Sequence, residues 1–562
     1  MSKPESNPVL VVGAGPAGLM AALNLTKHGV PVRIIEKLPE FHCASRGTGA
    51  HARSLEIYYY LGMLDDFLKI ASTLPDMVSY KLPGGTEPQK TWKLWEPMTP
   101  TPDRPIVGEK KVSLGQYRLE GIFRKHLSDL GVQIELATEL VDFVQDDEGV
   151  TATLKKNDTE VEQARFAYVI GADGARGVTR KLIGASFAGQ TKEADGQVWA
   201  DLVLEGLSDD YWHLWSEPER FTVTIRASGD GENHFHAGII GINFDPIDLT
   251  DPEKFVNFVY ENTGRRDLKF KNFLAISYWK PKMRMVNKFY SGRAFIVGDA
   301  AHVHSPTGGQ GLNTSVQDSF NLAWKIALVY KGYARPELLS SFEAERLPVV
   351  SHMLANTTEL YQHVVAEKDE AIRPPDNDHS AFLQWRNNAL CQLDINYRWS
   401  PIIVDARGQG DLDEAGLKAR AYIGYPGEPV HAGDRAPGAP GLVDVSGKEA
   451  RLHDIFKTTS HTILIFSPET ADADKQIDAV IKAVQSLPEN SAQVVVLARN
   501  GVPKAREGTV GYHDSQGHAY GAYYAEEDKV TIVAVRPDTY IGAFVFEADD
   551  LKNYFSHIFR NI

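Results

Sequence analysis

The sequence predicts an α/β protein, and three observations support that prediction. A short apolar run at 9–12 leads into a glycine-rich turn and an apolar helix. A second apolar run at 294–297 ends in Gly-Asp and precedes another glycine-rich helix start. From about Gly433 onward, apolar strand patterns alternate with a helical pattern. Strands joined by helices bury apolar runs of this kind, so a sheet with flanking helices is expected.

The first stretch has the glycine spacing of a dinucleotide-binding turn, with Gly13, Gly15 and Gly18 between strand and helix. In such a turn the first glycine permits the tight bend and the second lets a pyrophosphate approach the backbone. The third packs the helix on the strand. A second strand at 32–35 ends in Glu36, at the distance where a carboxylate accepts hydrogen bonds from an adenosine ribose. These features together predict a Rossmann-type nucleotide-binding unit.

The second stretch places Asp299 at the carboxyl end of a strand, with a helix beginning near Gly311. Open α/β sheets bind ligands at this edge. The backbone amides of Gly311, Leu312 and Asn313 lie in the first helical turn, where they lack intrahelical partners and the helix dipole is positive. They suit an electron-rich oxygen or an anionic ring. The alternative interpretation is a capped helix behind a flexible loop.

The third stretch, at 166–180, is an apolar strand followed by Gly-Asp-Gly and the arginines Arg176 and Arg180. The Asp173 carboxylate and the guanidinium groups suit a sugar and phosphates, and the alternative is a charged turn. In this order the three stretches resemble the group A flavoprotein aromatic hydroxylases, whose type members act on p-hydroxybenzoate and phenol. The resemblance implies a glutathione-reductase-like, Rossmann-type domain that binds FAD, and a mixed-sheet substrate domain.

The resemblance also implies the residues that bind FAD. The glycine-rich turn and Glu36 hold the ADP part, Asp299 holds the flavin side, and the Asp173 motif serves both FAD and NAD(P)H. Arg46 corresponds to an arginine that reaches the pyrophosphate, and Gln116 to a glutamine near the ribityl chain. The implied set is Gly13, Gly15, Gly18, Glu36, Arg46, Gln116, Asp173, Arg176, Asp299, Gly311, Leu312 and Asn313.

The residues that face the substrate are implied in the same way. Pro306 matches a proline whose carbonyl faces the substrate and the reactive flavin edge, and Tyr278 matches a tyrosine that hydrogen-bonds the phenol. Phenol hydroxylases carry an aspartate as candidate base shortly before an arginine motif that here spans 51–56. Thr48 stands at that position and cannot act as a carboxylate base. His51 or a tyrosine relay is the candidate base instead, and the motif is also similar to aromatic polyketide and chlorophenol hydroxylases.

The reaction that the resemblance implies is an aromatic hydroxylation. NADPH, or NADH, reduces FAD, dioxygen forms a flavin C4a-hydroperoxide, and an electron-rich phenol takes one oxygen atom. The protein excludes water, orients the ring and stabilises phenolate character. The alternatives are an aromatic polyketide or other secondary-metabolite hydroxylase, a halogenase or reductase of the same fold, and a non-catalytic FAD-fold ligand-binding protein. The sequence lacks the Trp-x-Trp-x-Ile-Pro motif of flavin halogenases, which counts against that class.

Length and pattern divide the 562 residues into several units. The C-terminal pattern resembles the thioredoxin-like α/β domain of phenol hydroxylases. The only cysteines, Cys43 and Cys391, lie outside it, so the redox CxxC pair is missing and a dimer contact or cover is expected. The expected units are 1–184 (first part of the FAD-binding domain), 185–284 (substrate sheet), 285–360 (second part of the FAD-binding domain), 361–432 (helical linker) and 433–562 (thioredoxin-like domain).

Composition limits the partners. A net charge of -15 without a run of basic residues argues against binding to nucleic acid or anionic membranes. No apolar stretch has the length of a membrane span, and the chain enters its first strand without a signal region, so a cytoplasmic location is expected. Neither cysteine has other metal-ligating residues near it in the sequence, so no metal is expected. A small phenolic substrate, dioxygen and a second copy of the chain, forming a homodimer, are the expected partners.

Overall fold

The computed structural model describes residues 7–45, 47–93, 97–191, 195–217, 220–242, 245–280, 282–304, 309–365, 391–408, 410–468 and 470–560. The helices in this part of the chain are α1 (Pro16–Lys27), α2 (Ala52–Tyr60), α3 (Leu64–Ile70), α4 (Gln116–Asp129), α5 (Thr179–Leu182), α6 (Pro252–Thr263), α7 (Gln310–Tyr330), α8 (Ser340–Val365), α9 (Glu414–Ala419), α10 (Leu452–Ile455), α11 (Ala471–Gln485), α12 (His518–Tyr523) and α13 (Ala548–Ile558).

The strands are mostly short, and several have only two residues. In chain order they are β1 (Val9–Val12), β2 (Val32–Ile35), β3 (Ser72–Thr73), β4 (Asp76–Tyr80), β5 (Pro88–Trp92), β6 (Lys111–Ser113), β7 (Ile134–Glu135), β8 (Thr138–Gln145), β9 (Val150–Lys156), β10 (Glu160–Phe166), β11 (Val169–Gly171), β12 (Phe187–Thr191), β13 (Asp195–Glu205), β14 (Tyr211–Glu217), β15 (Phe221–Ala227), β16 (His234–Ile242), β17 (Lys269–Trp279), β18 (Lys282–Val286), β19 (Tyr290–Ser291), β20 (Ala294–Ile296), β21 (His302–Val303), β22 (Val404–Asp405), β23 (Leu442–Val443), β24 (Glu449–Ala450), β25 (His461–Phe466), β26 (Ala492–Ala498), β27 (Thr509–Asp514), β28 (Thr531–Val535) and β29 (Ile541–Val545).

The first sheet unites the three stretches that the sequence singles out. Its order is β19–β20–β11–β1–β2–β7, and every pair is parallel except β19 with β20. The carboxyl ends of β1, β2, β11 and β20 therefore lie along one edge of the sheet. The chain leaves these strands at Gly13, Glu36, Ala172 and Val297. This edge collects the predicted nucleotide-binding residues and confirms the α/β prediction.

Helix α1 crosses this sheet and is covered by α7. It begins after Gly15 with Pro16 in the first turn, where proline costs no backbone hydrogen bond. Residues 17–25 are buried without a break, as expected for a helix between a sheet and another helix. The hydroxyl of Ser319 on α7 donates a hydrogen bond to the carbonyl of Ala17 (2.7 Å). α7 is itself almost wholly buried, and it begins at Gln310, close to the predicted start near Gly311, and ends at Tyr330.

The second large sheet has seven strands in the order β17–β13–β16–β15–β14–β4–β5. The side chains along its strands point alternately to the two faces of the sheet. One face is apolar and packs on α6, with Val198, Ile239 and Phe255 in the shared core. The other face carries polar side chains, which contact the chain before α2 through Asp201 and Arg226. Strands β4 and β5 come from residues 76–92, so this sheet includes chain that precedes the 185–284 segment.

The C-terminal sheet has eight strands in the order β22–β29–β28–β25–β26–β27–β23–β24. Strands β25, β26 and β27 are parallel, and β28 joins β25 antiparallel. The α11 and α13 helices cover one face together with Trp324 of α7, and α12 covers the other. The α11 helix starts at Ala471, because Thr470 accepts a hydrogen bond from the Ala473 amide and caps it there.

Candidate active site

The glycine-rich turn between β1 and α1 needs its three glycines for different reasons. Gly13 has φ +101°, and a Cβ there would come 2.5 Å from the Ala172 carbonyl oxygen. A Cβ at Gly18 would overlap the Gly13 carbonyl, so strand and helix touch at this point. A Cβ at Gly15 would meet nothing within 4 Å, which leaves this backbone open to a ligand. The turn has the shape of a phosphate cradle at the positive end of α1.

Glu36 lies at the same edge, directly after β2. Its carboxylate accepts hydrogen bonds from the backbone N–H groups of Ala14 (2.9 Å) and Leu38 (3.0 Å). These bonds fix the carboxylate beside the glycine-rich turn. The structure thus brings Glu36 to the cradle, next to the place where the sequence puts an adenosine ribose.

Asp173 follows β11 and uses only one of its carboxylate oxygens within the protein. That oxygen caps α5, since it accepts hydrogen bonds from the backbone N–H and the hydroxyl of Thr179, both at 2.9 Å. The other oxygen, Oδ1, is buried and has no hydrogen-bond partner among the described residues. Burial raises the pKa of Asp173 in spite of the bonds from Thr179. A buried oxygen without a partner is costly, so Oδ1 suits a hydroxyl of a bound nucleotide.

The two arginines after Asp173 differ in their surroundings. Arg176 is exposed, whereas Arg180 is buried. Arg180 donates a hydrogen bond to the carbonyl of Ala300 (3.0 Å), and its guanidinium carbon lies 4.0 Å from the centre of the Phe187 ring. Arg180 thereby ties this segment to the Gly-Asp turn. From the sequence, a cofactor role is predicted for Arg176 and no separate role for Arg180. The difference in burial between the two arginines arises from a tertiary contact, which the sequence does not show.

The Gly-Asp turn after β20 is held from behind by a buried ionic cluster. The N–H of Gly298, whose φ is +60°, donates to Asp318 on α7 (3.1 Å). Asp318 also contacts His302 and Arg346, each at 2.8 Å, and all three side chains are fully buried. Burial alone would raise the pKa of Asp318, but Arg346 and His302 together lower it. The cluster fixes Gly298, and the next residue, Asp299, is exposed at the ligand edge.

The start of α7 is joined to the chain before α2 through Asn313. Gly309 enters the helix with φ +61°. The Asn313 side chain accepts a hydrogen bond from the His51 N–H (2.8 Å) and donates one to the Gly49 carbonyl (2.9 Å). Because this side chain serves as a clamp, the backbone amides at 311–313 are the groups of this turn that suit a ligand.

Gln116, Gly47 and Leu312 come together although they are far apart in the sequence. A Cβ at Gly47 would lie 3.7 Å from the side-chain oxygen of Gln116 and 3.8 Å from a methyl group of Leu312. The amide nitrogen of Gln116 donates to Glu120 (2.9 Å), which turns its oxygen toward Gly47. The structure thus unites two residues, Gln116 and Leu312, that the sequence assigns to the ribityl chain and the flavin.

The His51 ring belongs to a buried polar network beneath α7. Its Nε2 lies 3.1 Å from the side-chain nitrogen of Gln310. The Gln310 oxygen accepts hydrogen bonds from the Tyr422 hydroxyl and from Gln392. All four residues are buried, and burial raises the pKa of Tyr422. Sequence reasoning misses Gln392 and Tyr422, because the segments that carry them lie far from His51 in the chain.

A row of buried side chains crosses the polar face of the seven-stranded sheet. Asp201 on β13 is paired with His236 on β16, and His236 is paired with Arg226 on β15. His236 Nδ1 lies 2.9 Å from the Asp201 carboxylate, and the Arg226 guanidinium carbon lies 5.1 Å from the centre of the Trp212 ring. Cross-strand partners point to the same face of a sheet, so the charged heads are neighbours. We call Asp201, His236 and Arg226 the polar row.

Two hydrogen bonds join the polar row to the loop before α2. The Ser45 N–H donates to Asp201 (2.7 Å), and Arg226 donates to the Thr48 hydroxyl (2.8 Å). The other described hydrogen bond of Arg226 goes to the Ala227 carbonyl, and its Nε has no partner among the described residues. Burial lowers the pKa of Arg226 to about 10, although the nearby carboxylates of Asp201 and Asp230 act in the opposite direction. The two hydrogen-bond acceptors described for the guanidinium, Thr48 and Ala227, are uncharged, so it can donate to a further oxygen atom.

Tyr278 lies on β17, at the edge of the same sheet. It is paired with Val198, whose side chain belongs to the apolar core on the opposite face. Since side chains alternate along a strand, the neighbouring Ser277 shares the face of Trp199, which stacks on His236 with ring centres 4.9 Å apart. The structure therefore does not bring Tyr278 to the polar row. The strand position that shares the face of the polar row is Ser277, one residue earlier.

These groups fit FAD. The open cradle at Gly15, the Glu36 carboxylate, Oδ1 of Asp173 and the first amides of α7 all lie along one edge of the sheet. They match a dinucleotide with its adenosine end near β2 and its ring near α7. Fold and site together define an FAD-binding α/β protein. Arg46 and Pro306, which the sequence assigns to the same site, lie outside the described residues.

Comparison with known proteins identifies the family. The FAD binding domain family matches residues 6–357. A flavin-dependent monooxygenase from Mycobacteroides abscessus is 32% identical over 502 residues, which cover 87% of this chain and 95% of the relative. Pentachlorophenol 4-monooxygenase from Sphingobium chlorophenolicum is 27% identical over 555 residues, covering 95% and 93%. The chain belongs to this family and is a flavin-dependent monooxygenase, which confirms the predicted FAD cofactor and enzyme class.

Solved structures share the fold over nearly the whole chain. The flavin-dependent monooxygenase PieE, in complex with FAD and substrate, has a TM-score of 0.78 at 22% identity and covers 98% of both chains. Aklavinone-11 hydroxylase, in complex with FAD and aklavinone, has a TM-score of 0.75 at 22% identity and covers 99% of both. At this identity the likeness establishes the mixed α/β monooxygenase fold.

The described residues contain neither a candidate membrane span nor a candidate metal site. No described helix combines the length and hydropathy needed to cross a membrane. Among the same residues, no three histidine, cysteine, aspartate or glutamate side chains are grouped so that they could hold a metal ion.

Proposed function

We propose that this monooxygenase hydroxylates a phenolic ring, with NAD(P)H and dioxygen as co-substrates. The observation that carries the proposal is the polar row beside the flavin-binding loop. Its acid, imidazole and guanidinium groups are buried next to Ser45 and Thr48, and such a site favours a hydroxyl group that becomes an anion. The relatives include pentachlorophenol 4-monooxygenase and phenol 2-monooxygenase, whose names describe phenolic substrates.

When bound, FAD takes electrons from the nicotinamide and activates dioxygen, so that one oxygen atom reaches the substrate and the other becomes water. The chain binds and orients the reactants. We assign the Gly13–Gly18 turn and Arg46 to the pyrophosphate, Glu36 to the ribose, and Asp173, Asp299 and Gln116 to the rest of the cofactor. The backbone amides at 311–313 stabilise negative charge on the ring through the helix dipole. By the family resemblance, we assign Pro306 to the substrate side of the flavin.

A larger fused aromatic substrate is the second candidate. Thr48 replaces the carboxylate that phenol hydroxylases have at this position, which disfavours a simple phenol. Relatives of this chain include 6-methylpretetramide 4-monooxygenase from Streptomyces rimosus, 34% identical over 353 residues covering 62% of this chain and 60% of the relative. An aromatic polyketide with a phenolic hydroxyl fits the same polar row, so both candidates share one chemistry and differ in size.

The finer assignments rest on the sequence. We propose NADPH as the electron donor, with Asp173 and the exposed Arg176 taking part in its docking. The proposed structural units are those expected from the sequence, with β4 and β5 added to the substrate sheet. We further propose that the C-terminal unit is thioredoxin-like without redox function and serves as a cover or dimer contact, and that the enzyme is a cytoplasmic homodimer. The parallel β25–β26–β27 core with helices on both faces supports the thioredoxin-like assignment.

Isotope labelling tests the proposed reaction. The FAD-loaded enzyme is incubated with NADPH, isotopically heavy dioxygen and a panel that runs from simple phenols to hydroxylated anthraquinones. We expect one heavy oxygen atom in the ring of the product, detected by mass spectrometry. Reaction of the anthraquinones alone selects the second candidate. Loss of substrate without incorporation of oxygen contradicts a hydroxylase.

A further inference from the structure

His236 has the geometry of a base that is oriented by an acid. Its Nδ1 lies 2.9 Å from Asp201, so the Nδ1 proton points at the carboxylate and the lone pair of the neutral ring lies on Nε2. Among the described residues, none hydrogen-bonds to Nε2. The ring is also stacked on Trp199, with an interplanar angle of 11°. A Cβ at Gly238 would come 2.5 Å from the Trp199 ring, so this glycine makes room for the stack.

The surroundings of His236 suit a phenolate. Arg226 is its cross-strand neighbour, so the two side chains lie on the same face of the sheet. The other charged and titratable groups that face the row are Asp201, His234 two residues earlier on β16, Tyr117 on α4, and Asp230, which pairs with Arg118 at 2.6 Å. Burial, and after it Asp230, raises the pKa of Tyr117 to about 12, so Tyr117 stays neutral.

We propose that His236 is the base that takes the phenolic proton of the substrate, that Asp201 is its positioning residue, and that Arg226 holds the phenolate. This inference rests on the proposed phenolic substrate. In the step, the phenolic O–H bond breaks and its electron pair stays on oxygen. The proton moves to Nε2, and Asp201 stabilises the imidazolium that forms. No electron is transferred in this step. The resulting phenolate is the more electron-rich ring, as hydroxylation requires.

His51, one of the candidate bases that the sequence leaves open, is less suited to this task. Its Nε2 is engaged with the side-chain amide of Gln310 in the network beneath α7. His236 lies instead on the face of the sheet that contacts the loop before α2 through Asp201 and Ser45. The sequence pattern places His234 and His236 on one face of a strand, but it does not show that Asp201 is the partner of His236, because the two meet only through strand pairing.

The decisive variant is His236→Asn. The asparagine amide keeps a donor for Asp201, and hence the packing of the loop, but removes the Nε2 base. We expect folding and FAD retention to be unchanged while kcat/KM for a phenol at neutral pH falls by about 10²–10⁴. The remaining activity of the variant should rise toward about pH 10, where an unperturbed phenol ionises without help.

A binding experiment gives a readout that does not depend on turnover. Para-nitrophenol is titrated with pH in the presence of the wild-type FAD enzyme, and its phenolate band is followed by difference spectroscopy. We expect the bound probe to ionise at a lower pH than the free probe, and His236→Asn to abolish most of that shift. His234→Asn is the matched control, on the same strand and face two residues away, and should behave as wild type.

The outcomes separate the inference from the proposed function. Hydroxylation by the wild type with an unchanged pH profile and unchanged probe ionisation in His236→Asn would overturn the role of His236 alone. If His236→Asn fails to fold, Asp201→Asn retains an acceptor for the Ser45 amide and is expected to lower kcat/KM and to weaken the ionisation of the bound probe, because the imidazolium loses its counter-charge. A wild-type enzyme that does not lower the pKa of the bound probe overturns the inference without any variant. If no phenol binds or is hydroxylated, both proposals are wrong.

Discussion

Asn313 holds the chain before α2 against the start of α7 with two short hydrogen bonds. It accepts from the His51 N–H at 2.8 Å and donates to the Gly49 carbonyl at 2.9 Å. The residues it joins are 262 and 264 positions away in the sequence. The turn whose amides we assign to the flavin is therefore fixed to the loop that contacts the seven-stranded sheet.

Removal of this clamp should destabilise the enzyme and loosen the flavin together. Asn313→Ala leaves a buried N–H and a buried carbonyl without partners, at a cost of about 1–3 kcal/mol each. We expect a lower urea midpoint and faster loss of FAD on dilution. Asn262→Ala, which removes a side-chain hydrogen bond within α6 away from the flavin, is the control. Equal FAD retention by Asn313→Ala and Asn262→Ala would show that the clamp does not shape the flavin site.

The arginines after Asp173 should separate cofactor binding from nicotinamide use. Arg180→Ala breaks the bond to the Ala300 carbonyl and the stack on Phe187, so we expect weaker FAD binding. Arg176→Ala changes an exposed side chain, so FAD binding should persist while KM for NADPH rises. FAD affinity by fluorescence quenching and steady-state kinetics measure the two effects. An Arg176→Ala enzyme that loses FAD as readily as Arg180→Ala would contradict this division.

Asp299 should matter for FAD binding. It is exposed beside Gly298, which the Asp318 cluster holds in place independently. Asp299→Ala is expected to lower FAD retention during gel filtration while the apoenzyme still folds. Asp299→Asn tests whether charge or hydrogen bonding is responsible. Full retention of the yellow cofactor by Asp299→Ala would remove this residue from the site.

The acid stability of the enzyme should depend on Glu56. Its buried carboxylate contacts Arg53 (3.0 Å) and Arg435 (3.1 Å). Burial alone would raise the pKa of Glu56, but these cations and His453 outweigh burial and lower the pKa from 4.5 to about 2. A carboxyl group with a lowered folded-state pKa contributes stability above pH 4.5 and loses it as the pH falls toward 2.

Glu56→Gln should therefore lower the melting temperature most at neutral pH, because it leaves two buried cations without a counter-charge. The cost of breaking such a buried pair is about 3–5 kcal/mol. The difference from wild type should shrink below pH 4.5. Differential scanning fluorimetry across pH measures it, with Glu217→Gln, on an exposed surface pair, as the control. A difference that does not depend on pH would contradict the ionised state of Glu56.

The parts of the site that sequence can predict are those built by neighbouring residues. The glycine-rich turn, with Gly13 and Gly18 in contact, follows from its spacing, and so does the position of Glu36 one strand later. Asp299 follows from the end of its strand. In each case the strand, turn and helix start that create the geometry are contiguous, so local pattern is sufficient.

The remaining parts depend on pairing between distant segments. Asp201, His236 and Arg226 become neighbours only through strand register, and one residue of register puts Tyr278 on the opposite face. The hydrogen bond between Gln392 and Gln310 likewise depends on how separate segments pack. The sequence alone shows that polar residues lie on strands, but it does not show which of these residues pair across the sheet.

The stoichiometry of NADPH oxidation tests the central claim most directly. The purified FAD enzyme is supplied with NADPH and dioxygen, and NADPH loss, hydrogen peroxide release and hydroxylated product are measured for each member of a panel of phenols and phenolic polyketides. The account predicts that one ring stimulates NADPH oxidation strongly and yields nearly one product per NADPH with little peroxide. If no ring stimulates oxidation, or if all electrons appear as peroxide, this chain is not a hydroxylase of phenolic rings.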